Sequence, residues 1–188
     1  MGTDGTIFPP NLTPNTTIYL YKPELCRSVP LVYQQTVVHQ DIETYRFTLP
    51  ADLFDTTAAT NAANNRCLCP AGYAQDSPCP SPPVGVFNLS ACTFGSPLAV
   101  SRPHFLYGDQ RLLDAVRGLE PDKSKHDFYI DMQPKLAVPL TAKVRLQMNL
   151  LLTRIEDIRH VAGLRDMVFP ILWFESVSLI TTTTKKKL

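Results

Sequence analysis

Proline is spread along the whole of this sequence, which has 17 prolines among 188 residues, well above the average usage of about 5%. A proline has no backbone N–H and a fixed φ, so it interrupts helix interiors and is excluded from the central strands of a sheet. The sequence therefore predicts short helices, no long central strands and many ordered loops. The apolar fraction of 44% and the charged fraction of 19% are typical of a globular protein, and the length suits one domain.

The charge balance gives no sign of a nucleic-acid partner, because 18 lysines and arginines against 17 aspartates and glutamates leave no strong global field. The longest apolar run, residues 168–174, is far shorter than the roughly 20 residues that span a bilayer. Residues 1–6 have neither the basic nor the apolar region of a signal peptide. From these segments alone we expect a chain with no membrane anchor and no signal.

Cysteines are clustered in a part of the sequence that is poor in apolar residues. The five are Cys26, Cys67, Cys69, Cys79 and Cys92, and four of them lie within residues 67–92. Such a segment needs covalent cross-links, and a disulfide that closed the loop of residues 26–92 would contribute about 4 kcal/mol on the chain-entropy model. A zinc site is the alternative, but Cys67 and Cys69 leave a single residue between the thiols, and no histidine lies at zinc-knuckle spacing.

Three N-glycosylation sequons accompany the cysteines, at Asn11, Asn15 and Asn88. Sequons beside clustered cysteines favour an oxidising, secretory compartment. The odd number of cysteines then implies that one of them pairs with another chain or has lost its partner by truncation, and we favour truncation. Met1-Gly2 with Thr6 matches a myristoylation pattern, which would indicate the cytosol, but it explains neither the cysteines nor the sequons.

Alternation of apolar and polar residues predicts a sheet with few helices. In residues 143–152 the even positions are apolar and the odd positions up to Asn149 are polar, which predicts a strand with one face in water. The other predicted strands are 17–21, 31–38, 45–49, a strand with Phe128, Ile130 and Met132 on one face, and a buried strand at 168–174 with Pro170 near its start or at a sheet edge. Short helices are predicted at 110–116 and at 153–163, where Thr153 and Glu156 form a capping box.

The sequence contains no motif that indicates an enzyme, such as Gly-x-Ser-x-Gly, a phosphate-binding glycine-rich loop or His-Glu-x-x-His. Asp127 and Asp131 on one strand would lie about 13 Å apart, beyond the roughly 9.5 Å limit of a glycosidase pair. The histidines are expected to be surface or locally hydrogen-bonded residues in unrelated contexts; they are His39, His104, His126 and His160. We therefore expect no catalytic residue, no cofactor and no metal.

Nine short segments run in order through nearly all of the chain from Gly2 to Phe174. They are GTDGTIFPP (2–10), LCRS (25–28), YRF (45–47), CLCP (67–70), GVFNLSAC (85–92), PHFLY (103–107), GLEP (118–121), RLQMN (145–149) and VFPILWF (168–174). In this combination the chain resembles the class B scavenger receptor family, which includes fatty acid translocase, the lysosomal integral membrane protein and the insect sensory neuron membrane proteins.

The resemblance implies an ectodomain between two membrane spans, with an antiparallel β-barrel, short helices, an apolar tunnel through the barrel and a helical bundle at its apex. We expect residues 1–180 to be the C-terminal half of such an ectodomain, with a disulfide-stapled loop, and residues 181–188 to be a low-complexity tail. The expected fold class is α+β with mostly antiparallel strands. The apex and both membrane spans have no counterpart in this sequence, so no ligand-binding residue is assigned.

The resemblance also implies that Cys26 pairs with Cys92 and Cys69 with Cys79, while Cys67 pairs with a cysteine that would precede the Gly-Thr-Asp segment and is absent from this chain. It implies ligands such as fatty acids, sterols, carotenoids or lipoproteins, which are transferred without covalent chemistry. The parent receptor would lie in the plasma membrane or in an endosomal or lysosomal membrane, with this region extracellular or lumenal.

Two other functions stay open at this point. One is a secreted, disulfide-rich adhesion module that binds a protein, and the other is a small secreted hydrolase whose site has no known motif. For the receptor fragment we expect poor folding of the isolated chain, because barrel strands without neighbours expose pairing edges and an apolar face.

Overall fold

Antiparallel strands dominate the structure, a computed structural model that describes residues 2–39, 41–55, 83–154, 163 and 165–179. The strands are β1 (Ile18–Lys22), β2 (Arg27–His39), β3 (Ile42–Thr48), β4 (Val86–Asn88), β5 (Leu98–Ser101), β6 (Tyr129–Gln133), β7 (Val138–Leu152) and β8 (Met167–Leu179). Between them lie the helices α1 (Gln110–Ala115) and α2 (Lys123–His126) and the 3₁₀ turns Pro23–Leu25 and Pro103–Phe105. The predicted fold class, α+β with mostly antiparallel strands, is confirmed.

The strands form one eight-stranded sheet in the order β1-β2-β3-β6-β7-β5-β4, with β8 paired to β7 off this path. β6 pairs with the first half of β7 and β5 with its second half. β8 pairs with β7 from Thr141 to Leu152 and therefore occupies the other edge of β7. Among the described strands none pairs with the outer edge of β8, so the sheet is open there, as expected for part of a larger structure.

Three long strands each contain a proline, which contradicts the prediction that prolines exclude long strands. β2 and β8 have 13 residues each and β7 has 15. Pro139 and Pro170 lie where the register of β7 with its partners shifts, so local bulges accommodate the missing N–H groups. Pro30 pairs with β1 alone, because the pairing of β2 with β3 begins only at Val32.

The predicted strands are all present, with β1, β2, β3, β6, β7 and β8 overlapping the predicted segments. Phe128, Ile130 and Met132 are all buried, as predicted. β4 and β5 were not predicted, because strands of three or four residues carry too little periodicity to recognise. α1 confirms the helix predicted at 110–116, whereas the helix predicted after Thr153 falls on residues outside the described ranges.

One face of the sheet carries the main hydrophobic core. Leu31 and Phe47 are completely buried there, and each contributes about 1.5–3 kcal/mol by leaving water. The N-terminal segment closes over the same core with Phe8 and Leu12. The backbone N–H of Leu12 donates to the carbonyl oxygen of Pro134 at 2.8 Å, which ties this segment to the β6–β7 connection.

A smaller core lies near α1 and the 3₁₀ turn Pro103–Phe105. Its buried members are Val86, Ala99, Phe105, Leu112 and Val168. Asp109 caps the first turn of α1 by accepting a hydrogen bond from the Arg111 N–H at 2.9 Å. The short helix is therefore held both by its cap and by the burial of Leu112.

The polar face of β7 is buried, which corrects the prediction that it faces water. Arg145, Gln147 and Asn149 are 4%, 2% and 0% exposed. Gln147 Nε2 donates to the Ser101 hydroxyl at 3.2 Å, and Asn149 Nδ2 donates to the same oxygen at 3.0 Å. The His104 N–H donates to Gln147 Oε1 at 2.8 Å. Buried amides are tolerated when their hydrogen bonds are made, so this polar row packs as interior rather than as surface.

Candidate functional site

Strands β7 and β8 share an apolar face that continues the main core. Residues directly opposite each other in an antiparallel pair project to the same side of the sheet, and the register puts Met148 opposite Leu172. The apolar residues on this side, named here the β7–β8 apolar face, are Val144, Leu146, Met148 and Leu150 on β7 with Phe169, Leu172 and Phe174 on β8.

The β7–β8 apolar face changes from buried to exposed across its width. Leu146 belongs to the main core, and Val144 and Met148 pack against that core while half-buried. On β8, by contrast, Leu172 is 53% exposed and Phe174 is 43% exposed. An exposed apolar surface of this kind is a candidate surface for contact with another protein segment or with an apolar ligand.

The predicted burial of the strand at 168–174 is wrong for the described chain. Val168 is buried, but every residue from Ile171 to Leu179 is exposed. A continuous apolar run is typical of a strand covered on both sides, and no described segment supplies that cover for β8. Pro170 lies near the start of this edge strand, as predicted.

Asp127 and Asp131, the carboxylates considered as a catalytic pair, each bind a separate arginine. Asp127 Oδ1 accepts from Arg102 Nη1 at 2.7 Å. The completely buried Asp131 accepts from Nε and Nη2 of Arg46, both at 2.7 Å, and lies 2.7 Å from His39 Nε2. The hydrogen bond with Asp131 raises the pKa of Arg46, whereas burial lowers the pKa of Arg102 despite the opposing charge of Asp127. Both carboxylates are therefore engaged in ion pairs that link segments of the fold.

Two histidines that are distant in the sequence meet in the structure, which corrects the expectation of unrelated contexts. The rings of His104 and His126 stack with centroids 4.2 Å apart. The indole of Trp173 lies edge-on to both rings. Neither periodicity nor motif spacing indicated this contact, because it depends on how the 3₁₀ turn and α2 both fold over β7. His160 lies outside the described residues.

Two of the predicted disulfide cysteines lie in the described part of the chain. Cys26 follows a 3₁₀ turn at a φ of 52° and is exposed, while Cys92 is half-buried against the main core. The guanidinium carbon of Arg27 lies 5.0 Å from the ring centre of Phe87, so the Cys26 segment lies beside the strand that leads toward Cys92. Their pairing, and the roles of the three cysteines outside the described residues, stay predictions.

The sequon asparagines differ in their surroundings. Asn11 and Asn15 are exposed, whereas Asn88 is half-buried at the end of β4. Asn88 Oδ1 accepts from the Ser90 N–H at 2.8 Å, and Asn88 lines a cleft of about 610 Å³ beside Leu112 of α1. Glycosylation of the three stays a prediction.

The described residues contain no cluster of three or more His, Cys, Asp or Glu side chains arranged for a metal ion. Cys67 and Cys69, the residues of the alternative zinc site, fall outside those residues. In the described ranges no helix has the length and apolar character needed to cross a membrane.

The antiparallel sheet, its exposed apolar face and the ordered sequence motifs agree with one class of protein, the class B scavenger receptors and their relatives. A family model described as the CD36 family matches residues 1–188, so this chain belongs to the CD36 family. The resemblance inferred from the motifs is thereby confirmed.

Individual relatives support the same assignment. Scavenger receptor class B member 1 of Rattus norvegicus is 35% identical over 179 residues, which is 95% of this chain and 33% of the rat protein. Lysosome membrane protein 2 of Mus musculus is 30% identical over 188 residues, which is all of this chain and 37% of the mouse protein. Protein peste of Drosophila melanogaster is 32% identical over 174 residues, which is 93% of this chain and 30% of the fly protein. The chain thus spans about a third of the length of these relatives.

Proposed function

We propose that this chain is part of a membrane-anchored scavenger receptor that binds and transfers lipids or lipoproteins without covalent chemistry. The observation that carries the proposal is the β7–β8 apolar face, which joins the main core to an open surface. Membership of the CD36 family, with a relative named scavenger receptor class B member 1, supports a receptor of this kind.

The chemistry of the β7–β8 apolar face suits an apolar ligand. Its members are valine, leucine, methionine and phenylalanine, which offer a bound alkyl chain no unpaired polar group. Each methylene group of a lipid that leaves water contributes about 0.8 kcal/mol, so a continuous apolar wall lowers the free-energy cost of moving the chain between a carrier and a bilayer. The polar side chains of β7 point to the opposite face, where hydrogen bonds satisfy them.

The proposed location is the plasma membrane or an endosomal or lysosomal membrane, with this region extracellular or lumenal. A relative named lysosome membrane protein 2 supports the second of these. The clustered cysteines and the three sequons support an oxidising compartment. In that setting the proposed disulfides are Cys26–Cys92 and Cys69–Cys79, with Cys67 paired outside this chain.

Two matched substitutions on β8 test the role of the β7–β8 apolar face. Leu172 is 53% exposed on that face, and Val177 is 46% exposed and lies opposite Lys143, on the other side of the same strand. Leu172→Asp places a charge on the proposed lipid surface, and Val177→Asp places the same charge away from it. The assay is photo-cross-linking of a diazirine fatty acid or sterol to the longest natural polypeptide that carries this sequence, followed by mass spectrometry.

We expect Leu172→Asp to weaken lipid capture about 10- to 100-fold, the equivalent of losing the burial of one leucine side chain. Val177→Asp should leave capture within about twofold of the wild type, since it lies off the proposed lipid surface. Equal lipid capture by both variants, or cross-links confined to the outer side of β8, would show that this face does not contact lipid. In that case an adhesion module that binds a protein becomes the better interpretation.

A further inference from the structure

Three aromatic side chains from three elements pack together at the outer side of β7. His104 lies in the 3₁₀ turn Pro103–Phe105, His126 is the last residue of α2 and Trp173 lies on β8. The imidazole planes differ by 10° at a centroid distance of 4.2 Å, and the indole is 6.3 Å from one ring and 5.7 Å from the other. His126 is only 5% exposed, and His104 is half-buried.

Each imidazole accepts a hydrogen bond from the loop that connects α1 with α2. The Glu120 N–H donates to His104 Nδ1 at 3.0 Å, and the Asp122 N–H donates to His126 Nδ1 at 2.9 Å. A histidine nitrogen accepts a hydrogen bond only while it carries no proton. The two bonds therefore require both rings to be neutral, with the proton of each ring on Nε2.

We propose that His104 and His126 form an acid-released latch that holds the loop of residues 116–122 on the sheet at neutral pH. On acidification each Nδ1 takes one proton from solvent. The two backbone N–H groups then lose their acceptors and face new N–H donors. Two like charges would also arise on stacked rings, which favours separation of the rings. The latch requires only acidification and does not depend on the proposed lipid function.

The charged groups around His126 act on its protonation in both directions. Arg145 of β7 and Lys125 of α2 act against a positive charge on His126, while Asp122 acts in its favour. Arg145 is itself fixed by Glu175 of β8 at 2.5 Å. Lys125 and the Ser124 N–H both engage the Asp122 carboxylate.

Burial is the largest cause that lowers the pKa of His126 below its ordinary value of 6.5, and the neighbouring His104 is the second. The hydrogen bond from the Asp122 N–H to His126 is therefore kept at neutral pH and is lost as the pH falls below 6.5. A histidine with a depressed pKa in the folded state binds fewer protons there than in the unfolded state, so the local structure loses stability as the pH falls from about 6.5.

Hydrogen exchange of two amides tests the latch. In the longest natural polypeptide that carries this sequence, protection of the Glu120 and Asp122 N–H groups is measured at about pH 7.5 and about pH 5 and corrected for intrinsic exchange. We expect protection of both to fall about tenfold or more at the acid pH. The double variant His104→Asn with His126→Asn keeps an oxygen acceptor near each Nδ1 but cannot take the proton, so its protection should be independent of pH.

His39→Asn is the matched control, because the hydrogen bond of His39 is made with Asp131 on β6 and not with a backbone N–H of the loop. This variant should keep the wild-type pH response. Unchanged protection of the wild-type amides at acid pH overturns the latch, as does a double variant with the full wild-type response. If the double variant does not fold, ¹⁵N spectroscopy of the wild-type rings decides: a proton on Nδ1 of either histidine at neutral pH contradicts the proposal.

Discussion

At the scale of single residues, Arg102 joins three parts of the chain through one buried guanidinium. It is 1% exposed and binds Asp127 through Nη1 at 2.7 Å. Its Nη2 donates to the carbonyl oxygens of Leu49 and Pro50 at 2.8 and 2.7 Å. The guanidinium also lies 4.5 Å from the ring centre of Tyr107, so this buried charge has a carboxylate, two carbonyl oxygens and an aromatic ring around it.

We expect Arg102→Met to lower the free energy of unfolding by about 3–5 kcal/mol, because it leaves Asp127 as a buried carboxylate without its partner. The matched control is Arg111→Met, since the Arg111 side chain is 77% exposed in its pair with Asp109 and should change stability little. Denaturant titration of the longest natural polypeptide that carries this sequence, as the wild type and as each variant, measures the difference. Similar unfolding midpoints for both variants would show that the Arg102 network is dispensable.

Gly85 is a second residue whose identity the structure explains, because only glycine fits its backbone conformation and its close neighbour. A Cβ built on it would lie 2.4 Å from Gly108 Cα, and its φ is +91°. Gly95 has a similar φ of +81° but nothing within 4 Å of a Cβ. Gly95→Ala therefore measures the backbone strain alone, whereas Gly85→Ala adds a clash between two backbone segments.

We expect Gly95→Ala to cost about 1–2 kcal/mol of stability and Gly85→Ala to cost about 1–3 kcal/mol more. Thermal unfolding of both variants, made in the longest natural polypeptide that carries this sequence, compares the two costs directly. The same loss of stability in both variants would mean that the backbone at Gly108 moves away from the new Cβ at residue 85 without a measurable cost.

At the scale of elements, hydropathy alternation located the strands but not their surroundings. It identified β7 correctly, yet it assigned the polar face to water, whereas Gln147 and Asn149 are interior residues. Alternation shows that the two faces of a strand differ in polarity. Whether each face is buried depends on segments that are far away in the sequence and pack against it. The bulges that admit Pro139 and Pro170 are set by pairing register, which a single strand does not encode.

The exposed strand β8 leads to a prediction about association. Its outer edge has no partner among the described strands, and apolar side chains project from both of its faces. Produced alone, the chain should self-associate through this strand. Leu172→Lys with Phe174→Lys on the β7–β8 apolar face should reduce the association more than Val177→Lys with Leu179→Lys on the other side.

Light scattering after size-exclusion chromatography measures this association as a function of concentration. Because both double variants add two positive charges to the edge strand, a difference between them reports the face rather than the charge. A wild-type chain that is monomeric and melts cooperatively would contradict both the association and the predicted poor folding of the isolated chain.

At the scale of the whole molecule, the sequence motifs predicted more than any local pattern did. Family membership followed from nine short segments in order, and the open sheet agrees with a chain that spans about a third of its relatives. The stacked pair of His104 and His126 had no sequence signal, since it arises where separate elements cross the sheet. Likewise, the sequence did not indicate that part of the β7–β8 apolar face is exposed, because this exposure depends on the position of β8 at the edge of the described sheet.

The unpaired cysteine provides a last prediction at this scale. Five cysteines in an oxidising compartment leave one without a partner in this chain, and by resemblance that one is Cys67. The segment at Thr3 lies beside β1, with the Thr3 N–H donating to the Tyr19 carbonyl oxygen at 2.8 Å. By resemblance, the partner of Cys67 is a cysteine that precedes the Gly-Thr-Asp segment, and that segment lies along β1.

We expect the transcript to encode a cysteine within a few codons upstream of this segment, in frame with it. Peptide mapping of the longest natural polypeptide without reduction should then recover the Cys67 peptide linked to that upstream peptide, with Cys26 linked to Cys92 and Cys69 to Cys79. Cys67→Ser would leave the upstream cysteine as a free thiol that alkylating reagents detect, whereas Thr3→Ser would leave the linkage intact. Reduced cysteines that bind zinc in cells, with unmodified asparagines at all three sequons, would rule out the lumenal location and the disulfides together.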